Sequence, residues 1–329
     1  MRRKDVFLGV MAVLVCLGGT AIAQEQVYQG AGSGFQSSSG LVGGAEMLFL
    51  RAYSNTYDQV ASWISHGAGA TPSNRHELSP RLWLGYVGES GFGVRGRWFQ
   101  YQHTLNAGTG TVVGEDFFFG LGGFADGFAD GFVGENQWDV IEGTYELEMR
   151  NYLDVYAVDV DFMQRVDLGC WQANVGGGLR VGGVKRRTSG ELLVEADQDE
   201  EASYGAALLT RFEGVGPTIF AELKRPILGT GFSLVANARG SLLFGDRAVW
   251  ISAHEEGEGF SEELLSSDGV VTVGEIQLGA EYARQLGYGT IGFAQLLWEG
   301  QIWSNASHVA VLSDDLGLTG VAFNFGITR

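Results

Sequence analysis

Proline and cysteine are nearly absent from this chain, at 4 and 2 of 329 residues. Two cysteines cannot staple a chain this long, which excludes a disulfide scaffold. Basic residues are also scarce, 21 Lys and Arg against 39 Asp and Glu, for a formal net charge of −18. Nothing in that balance neutralises a phosphate backbone, so no nucleic-acid partner is expected. Beyond the first two dozen residues no apolar run approaches the roughly 18 residues of a transmembrane helix. Glycine is abundant instead, at 52, but without a G-X-Y period, which excludes collagen. A hydrophobic share of 45% and an aromatic share of 12% argue against general disorder and leave a large folded chain.

The start reads as an export signal. Arg2, Arg3 and Lys4 precede an apolar run over residues 6–17, and Thr20, Ala21, Ile22 and Ala23 supply the small-x-small pattern for cleavage before Gln24. The alternative, a membrane anchor, is disfavoured because the run is short for a bilayer core. Lipidation at Cys16 is disfavoured because Val15 precedes it. Removal of residues 1–23 leaves 18 basic and 38 acidic residues, a net of −20, and one cysteine, Cys170.

Period-two alternation recurs after residue 40. Phe92, Val94, Gly96 and Trp98 alternate with Gly93, Arg95 and Arg97, and Val175, Leu179 and Val181 with Asn174 and Arg180. Phe232, Leu234, Ala236, Ala238, Leu242 and Phe244 oppose Ser233, Asn237, Arg239 and Ser241; Val321, Phe323, Phe325 and Ile327 oppose Gly320, Ala322, Asn324 and Gly326. With weaker segments at 41–51, 81–87, 138–149, 152–165, 203–212, 216–224 and 288–299, this gives about 12 strands, within a range of 10–14. Aromatics near segment ends, glycine-rich polar faces and segments of ten or more residues favour an all-β, transmembrane antiparallel β-barrel over a soluble sandwich. In lipid a closed barrel is the one β arrangement that pairs every backbone group. A flexible segment over 24–40 precedes a single barrel over 41–329, with long loops expected near 104–136, 188–202 and 246–269.

With apolar faces toward lipid, the inward set is Glu46, Arg95, Arg97, Glu146, Glu148, Arg150, Asp159, Asp161, Asn174, Arg180, Arg211, Asn237, Arg239, Glu275, Gln277, Glu281 and Glu299. Two readings stay open for it: a network that plugs and stiffens the barrel, or a water-filled channel lined by mixed charge. The change from even to odd inward positions between Arg150 and Asp159 predicts a turn or bulge near 151–154.

The loops hold much of the acid, as in Glu195, Asp197, Asp199, Glu200 and Glu201, and in Glu255, Glu256, Glu258, Glu262 and Glu263. Residues 123–132 repeat an aromatic-small-acid-glycine unit. A segment folding against the lumen wall or outer surface is preferred there over a calcium-holding loop. His66, His76, His103, His254 and His308 have no zinc spacing, and there is no nucleophile elbow or P-loop. Ser307 and His308 are adjacent and point to opposite faces of a strand. No enzyme, cofactor or metal is expected.

A family resemblance runs through the same segments. Gly44-Ala45-Glu46-Met47-Leu48-Phe49-Leu50-Arg51, Arg81-Leu82-Trp83-Leu84-Gly85-Tyr86 and Gly91-Phe92-Gly93-Val94-Arg95-Gly96-Arg97-Trp98-Phe99 resemble the amino-terminal part of a planctomycete outer-membrane family similar to the Legionella major outer membrane protein. Gly216-Pro217-Thr218, Glu299-Gly300-Gln301-Ile302-Trp303 and Asp315-Leu316-Gly317-Leu318-Thr319-Gly320-Val321 resemble its later strands. The resemblance covers roughly 40–327. It implies a pore-forming barrel with outer-membrane lipid and the barrel-assembly machinery as partners, and no dedicated ligand site. The Legionella protein is a cysteine-linked porin; with Cys170 alone, a free thiol is favoured over a cross-linked homo-oligomer. The carboxyl end departs from the usual barrel signal of a closing aromatic residue, since Ile327, Thr328 and Arg329 follow the last aromatic, Phe325. The function expected is passive diffusion of small hydrophilic solutes; the alternative is a closed structural or adhesive barrel displaying acidic loops.

Overall fold

The computed structural model describes residues 39–54, 75–112, 144–195, 201–227, 230–255, 258–287, 289–309 and 312–329. These form ten antiparallel strands: β1 (Gly40–Tyr53), β2 (Glu77–Val87), β3 (Phe92–Val112), β4 (Thr144–Leu168), β5 (Trp171–Glu195), β6 (Glu201–Pro226), β7 (Phe232–Glu255), β8 (Glu258–Gly287), β9 (Thr290–Val309) and β10 (Leu312–Thr328). Each pairs with its sequence neighbours, and β1 pairs with β10, Met47 opposite Phe323, which closes the barrel. Among the described residues no sheet edge remains, as a lipid environment requires.

Ten strands lie within the expected range, and the difference from twelve has a specific origin. Residues 144–149, the described part of segment 138–149, and segment 152–165 fall on one strand, β4, and segments 203–212 and 216–224 on another, β6. β4 pairs with β5 from Thr144 to Leu168 without a register shift, so the turn or bulge expected near 151–154 is absent. The loops expected near 188–202 and 246–269 are also largely strand, since β5 runs to Glu195, β7 to Glu255, and β8 begins at Glu258. Polar residues on both faces suggested loops there. Outside the bilayer, however, a paired ladder satisfies its own backbone whatever its side chains. Residues 24–38 and the repeat at 123–132 lie outside the described residues.

The outward face carries the lipid band. On β7, Phe232, Leu234, Leu242 and Phe244 are exposed, and so are Leu78, Leu82, Leu84 and Tyr86 on β2. At about 3.3 Å per residue and a tilt of about 40°, the stretch from Phe232 to Phe244 rises roughly 30 Å, the thickness of a hydrocarbon core. Aromatic pairs mark its borders: Phe232 with Tyr282 (centroids 5.0 Å apart) and Phe92 with Phe162 (6.4 Å) at one, Phe49 with Phe323 (6.2 Å) nearer the other. β4 to β8, at 24–30 residues, far exceed the 9–11 a tilted strand needs and continue beyond the membrane on one side.

Both ends of the barrel chain and four short turns share one end. Each of those turns carries a glycine with positive φ, at Gly91, Gly169, Gly231 and Gly289. Tyr53 and Glu77, and Val112 and Thr144, the strand ends separated by the longest stretches of sequence, stand at the other end, which therefore faces the cell exterior. Inward glycines have a different role. A Cβ at Gly178 would lie 1.9 Å from the Val160 carbonyl oxygen, and one at Gly320 1.9 Å from that of Phe49. Tight inward curvature leaves no room for a side chain at either place.

The exposed Cys170 lies in the β4–β5 turn, at the periplasmic end. A membrane-impermeant maleimide is expected to label it only after the outer membrane is permeabilised. Labelling in intact cells would invert the assigned orientation.

Candidate functional site

Alternation fixes what enters the lumen: even positions on β1, β5, β6 and β10, odd positions on β2, β3, β4, β7, β8 and β9 up to Trp303. Two layers result. The layer nearer the periplasm is ionic. Arg81 on β2 donates through Nη1 to Glu46 Oε2 (2.7 Å) and through Nη2 to Glu299 Oε1 (2.5 Å), with its guanidinium 5.0 Å from the Phe99 ring centroid. Gln277 Nε2 donates to the same two carboxylates, and Gln301 Nε2 to Glu299. Asp159 accepts from Arg97 (2.8 Å) and Arg180 (2.6 Å); both guanidiniums also reach Glu275, at 2.9 and 2.5 Å. Asp161 joins Arg95 (3.1 Å) and Arg239 (2.7 Å), and Arg95 continues to Glu222 (2.7 Å). The Phe220 ring lies between these two arginines, its centroid 5.0 Å from Arg95 and 4.7 Å from Arg239.

These pairs span the lumen. Arg97 on β3 and Glu275 on β8 stand five strands apart in a ring of ten, so their ion pair joins opposite walls. Five arginines face six carboxylates across this layer, which leaves it close to neutral. Desolvation of so many charges is costly unless each is paired; the guanidinium forks and amide donors supply the partners.

The layer nearer the cell exterior is apolar. Leu48, Leu50, Tyr101, Val155, Phe212, Leu243, Val271 and Trp303 form one cluster and are each 0% exposed. The Trp303 ring comes within 3.4 Å of the place a Cβ would take at Gly182, on β5, four strands away. Its Nε1–H donates to Gln301 Oε1 (3.2 Å), which ties the two layers together. Above them a small cleft is lined by Ser54, His103, Asn151 and Arg186; His103 Nδ1 lies 3.0 Å from Glu77 Oε1.

The structure distributes the sequence-derived set unevenly. Glu46, Arg95, Arg97, Asp159, Asp161, Arg180, Arg239, Glu275, Gln277 and Glu299 meet in the ionic layer. Asn174, Asn237 and Glu281 line the periplasmic side of it, where Asn174 donates to Glu222, Asn237 to Gln277, and Lys224 pairs with Glu281. Arg150 and Arg211 are corrections: both are exposed, and Arg211 donates to Glu213 on the outer face. The rule that apolar faces meet lipid inverts above the bilayer, where Phe212 takes the inward place and Arg211 faces water. Glu146 and Glu148 share the parity of Arg150 along the unbroken β4, opposite to that of Asp159; their side chains lie outside the described residues.

Arg81, Glu222, Gln301 and the whole apolar layer escaped the sequence reading. Leu82, Leu84 and Tyr86 as a lipid face would have turned Arg81 inward. The unbroken apolar run Met47-Leu48-Phe49-Leu50 is the signature of a strand buried on both faces. Among the described residues no group of His, Cys, Asp and Glu is arranged to hold a metal.

No curated protein matches the chain. Among solved structures, the Escherichia coli outer-membrane protease OmpT aligns at 7% identity, covering 90% of this chain and 98% of its own, with a TM-score of 0.38. The Pseudomonas putida toluene transporter TodX aligns at 8% identity over 88% and 90% (TM-score 0.23), and the transport unit of the Escherichia coli autotransporter AIDA-I at 12% over 98% and 97% (0.19). The expectation that the chain is no enzyme is overturned as an inference. A protease is among the aligned barrels, so missing soluble-enzyme motifs do not decide the matter for a barrel, while so loose a likeness assigns no activity here. The model of the family described as Legionella pneumophila major outer membrane protein precursor matches residues 37–328, so this outer-membrane barrel belongs to that family.

Proposed function

We propose that this protein is a sealed outer-membrane barrel that anchors and displays its strand extensions and acidic loops at the cell surface. The observation that carries this reading is the contact between opposite walls, the Arg97–Glu275 ion pair at 2.9 Å beneath an apolar layer centred on Trp303. Passive diffusion of hydrophilic solutes needs a continuous water path. An ion-paired layer and a dry layer in series oppose one, because a solute crossing them must break buried charge pairs and then enter an apolar core. Residues 1–23 as the export signal and the planctomycete branch suggested by the quoted strings belong to the same reading. With residues 1–23 removed, Cys170 is the one thiol left and permits at most one disulfide between copies.

Liposome swelling tests the proposal. Proteoliposomes carrying the refolded barrel are expected to swell in small sugars no faster than protein-free liposomes. Swelling that slows with increasing solute size would overturn the sealed barrel and restore the diffusion pore.

A further inference from the structure

We infer that the cleft at the exterior end of the barrel is a hydrolytic site, in which His103, held by Glu77, activates one water against an ester at the cell surface. Strand register brings the groups together. His103 on β3 stands directly opposite Leu153 on β4, and Leu153 directly opposite Arg186 on β5, all three on inward positions. The register of β2 on β3, with Arg81 opposite Phe99, sets Glu77 opposite His103 when it is continued. The two side chains meet there, with 3.0 Å between Glu77 Oε1 and His103 Nδ1. A carboxylate accepts only, so Nδ1 carries the proton and the neutral ring presents Nε2 as a lone pair.

Nε2 has no hydrogen-bond partner among the described residues, although His103 is only 4% exposed. A buried ring nitrogen in that state is costly unless a small polar group meets it. Glu77 holds the ring from the β2 side, so Nε2 points away from β2, into the cleft that His103 lines together with Ser54, Asn151 and Arg186. That cleft has a volume of about 20 Å³, enough for one water, and its other walls are apolar, Val184 and Leu316 among them. An imidazole fixed by a carboxylate, with its far nitrogen on a water, is the arrangement of a general base. In the step, Nε2 takes a proton as the water oxygen bonds to the ester carbonyl carbon. Arg186 and Asn151, on the β4–β5 side of the cleft, supply donors for the charge that forms on the carbonyl oxygen. The imidazolium then returns its proton to the leaving oxygen as the carbon–oxygen bond breaks, which gives a carboxylic acid and an alcohol. Glu77 touches no reacting atom and is a positioning residue. Ser54 is set aside as nucleophile, because its hydroxyl accepts from Arg186 Nη1 (3.2 Å) and makes no hydrogen bond to Nε2. The cleft lies above both filled layers, so this activity is independent of whether the lumen is sealed.

Hydrolysis of 4-nitrophenyl acetate by the refolded full barrel in detergent tests it. The wild type is expected to release nitrophenol faster than N-acetylhistidine amide does at the same concentration. His103→Gln is expected to lower kcat/KM about a hundredfold, as loss of a general base does. Glu77→Gln is expected to lower kcat about a hundredfold with KM unchanged, the cost of a base misplaced by an ångström, and Glu77→Asp to recover most of that loss. A merely structural clasp would instead move the urea midpoint and leave kcat alone. Phenylmethylsulfonyl fluoride, which needs a nucleophilic serine, is expected to leave the rate unchanged. Heat-modifiable gel migration checks that each variant is folded. Wild-type hydrolysis no faster than that of the histidine amide, or a folded His103→Gln variant as fast as the wild type, would overturn the inference. Inactivation by the sulfonyl fluoride would do the same, by making a serine the nucleophile in place of water.

Discussion

Replacing Arg81 by alanine is expected to destabilise the barrel by about 3–5 kcal/mol, the usual consequence of removing one partner from a buried ion-pair network. Arg81 stands between Glu46 and Glu299, is 1% exposed, and supplies three of the hydrogen bonds that hold those carboxylates. Without it two buried anions face each other with only amide donors from Gln277 and Gln301. Lysine does not substitute well, because one ammonium cannot reproduce the forked geometry. The neutral triple variant R81M/E46Q/E299Q should recover most of the loss, since a network without charge has no unpaired ion to strand. The measurement is the urea midpoint of the refolded barrel in detergent, followed by gel mobility. A single variant as stable as the wild type would show that the ionic layer is hydrated, contrary to the packing described.

Trp303→Ala is expected to cost a similar amount, about 3–5 kcal/mol, through a different mechanism. The ring is fully buried, lies over Gly182 across the lumen with Leu243 beside the same place, and uses its N–H on Gln301. Alanine leaves a cavity that the surrounding closed sheet cannot collapse to fill. Gly182 makes the site one-sided: β5 has no side chain of its own there to fill the space the indole vacates. The same variant should remain electrically silent, because the ionic layer below still joins β3 to β8. A Trp303→Ala barrel that conducts would mean that the apolar layer alone forms the seal.

The sequence made the wall legible and the filling only half so. Strict alternation in segments such as 92–98 and 232–244 identified both faces, because a strand in lipid must present apolar residues on one side. The inward positions of Arg95, Arg97, Asp159, Asp161, Arg180 and Arg239 follow directly from that parity. Arg150 and Arg211 went astray because the rule holds only at membrane height. On β4 to β6 above it the exterior is water, and Val155, Val184 and Phe212 form the inner core as in a soluble barrel. Pairing of Arg97 with Glu275 was not legible at all. It depends on which strands stand opposite in the closed ring, and so on the strand count, which reading β4 and β6 as two segments each had inflated. Glycine was informative in kind but not in place: Gly178 and Gly320 look like any strand glycines until the curvature shows a carbonyl where each side chain would be.

The central claim is that opposite walls meet inside the barrel and leave no water path. Single-channel recording of the refolded wild type in a planar bilayer tests it most directly. The sealed lumen predicts a flat current at every applied voltage once insertion has been verified by heat-modifiable migration of the same preparation. Discrete, reproducible conductance steps from that preparation would contradict it.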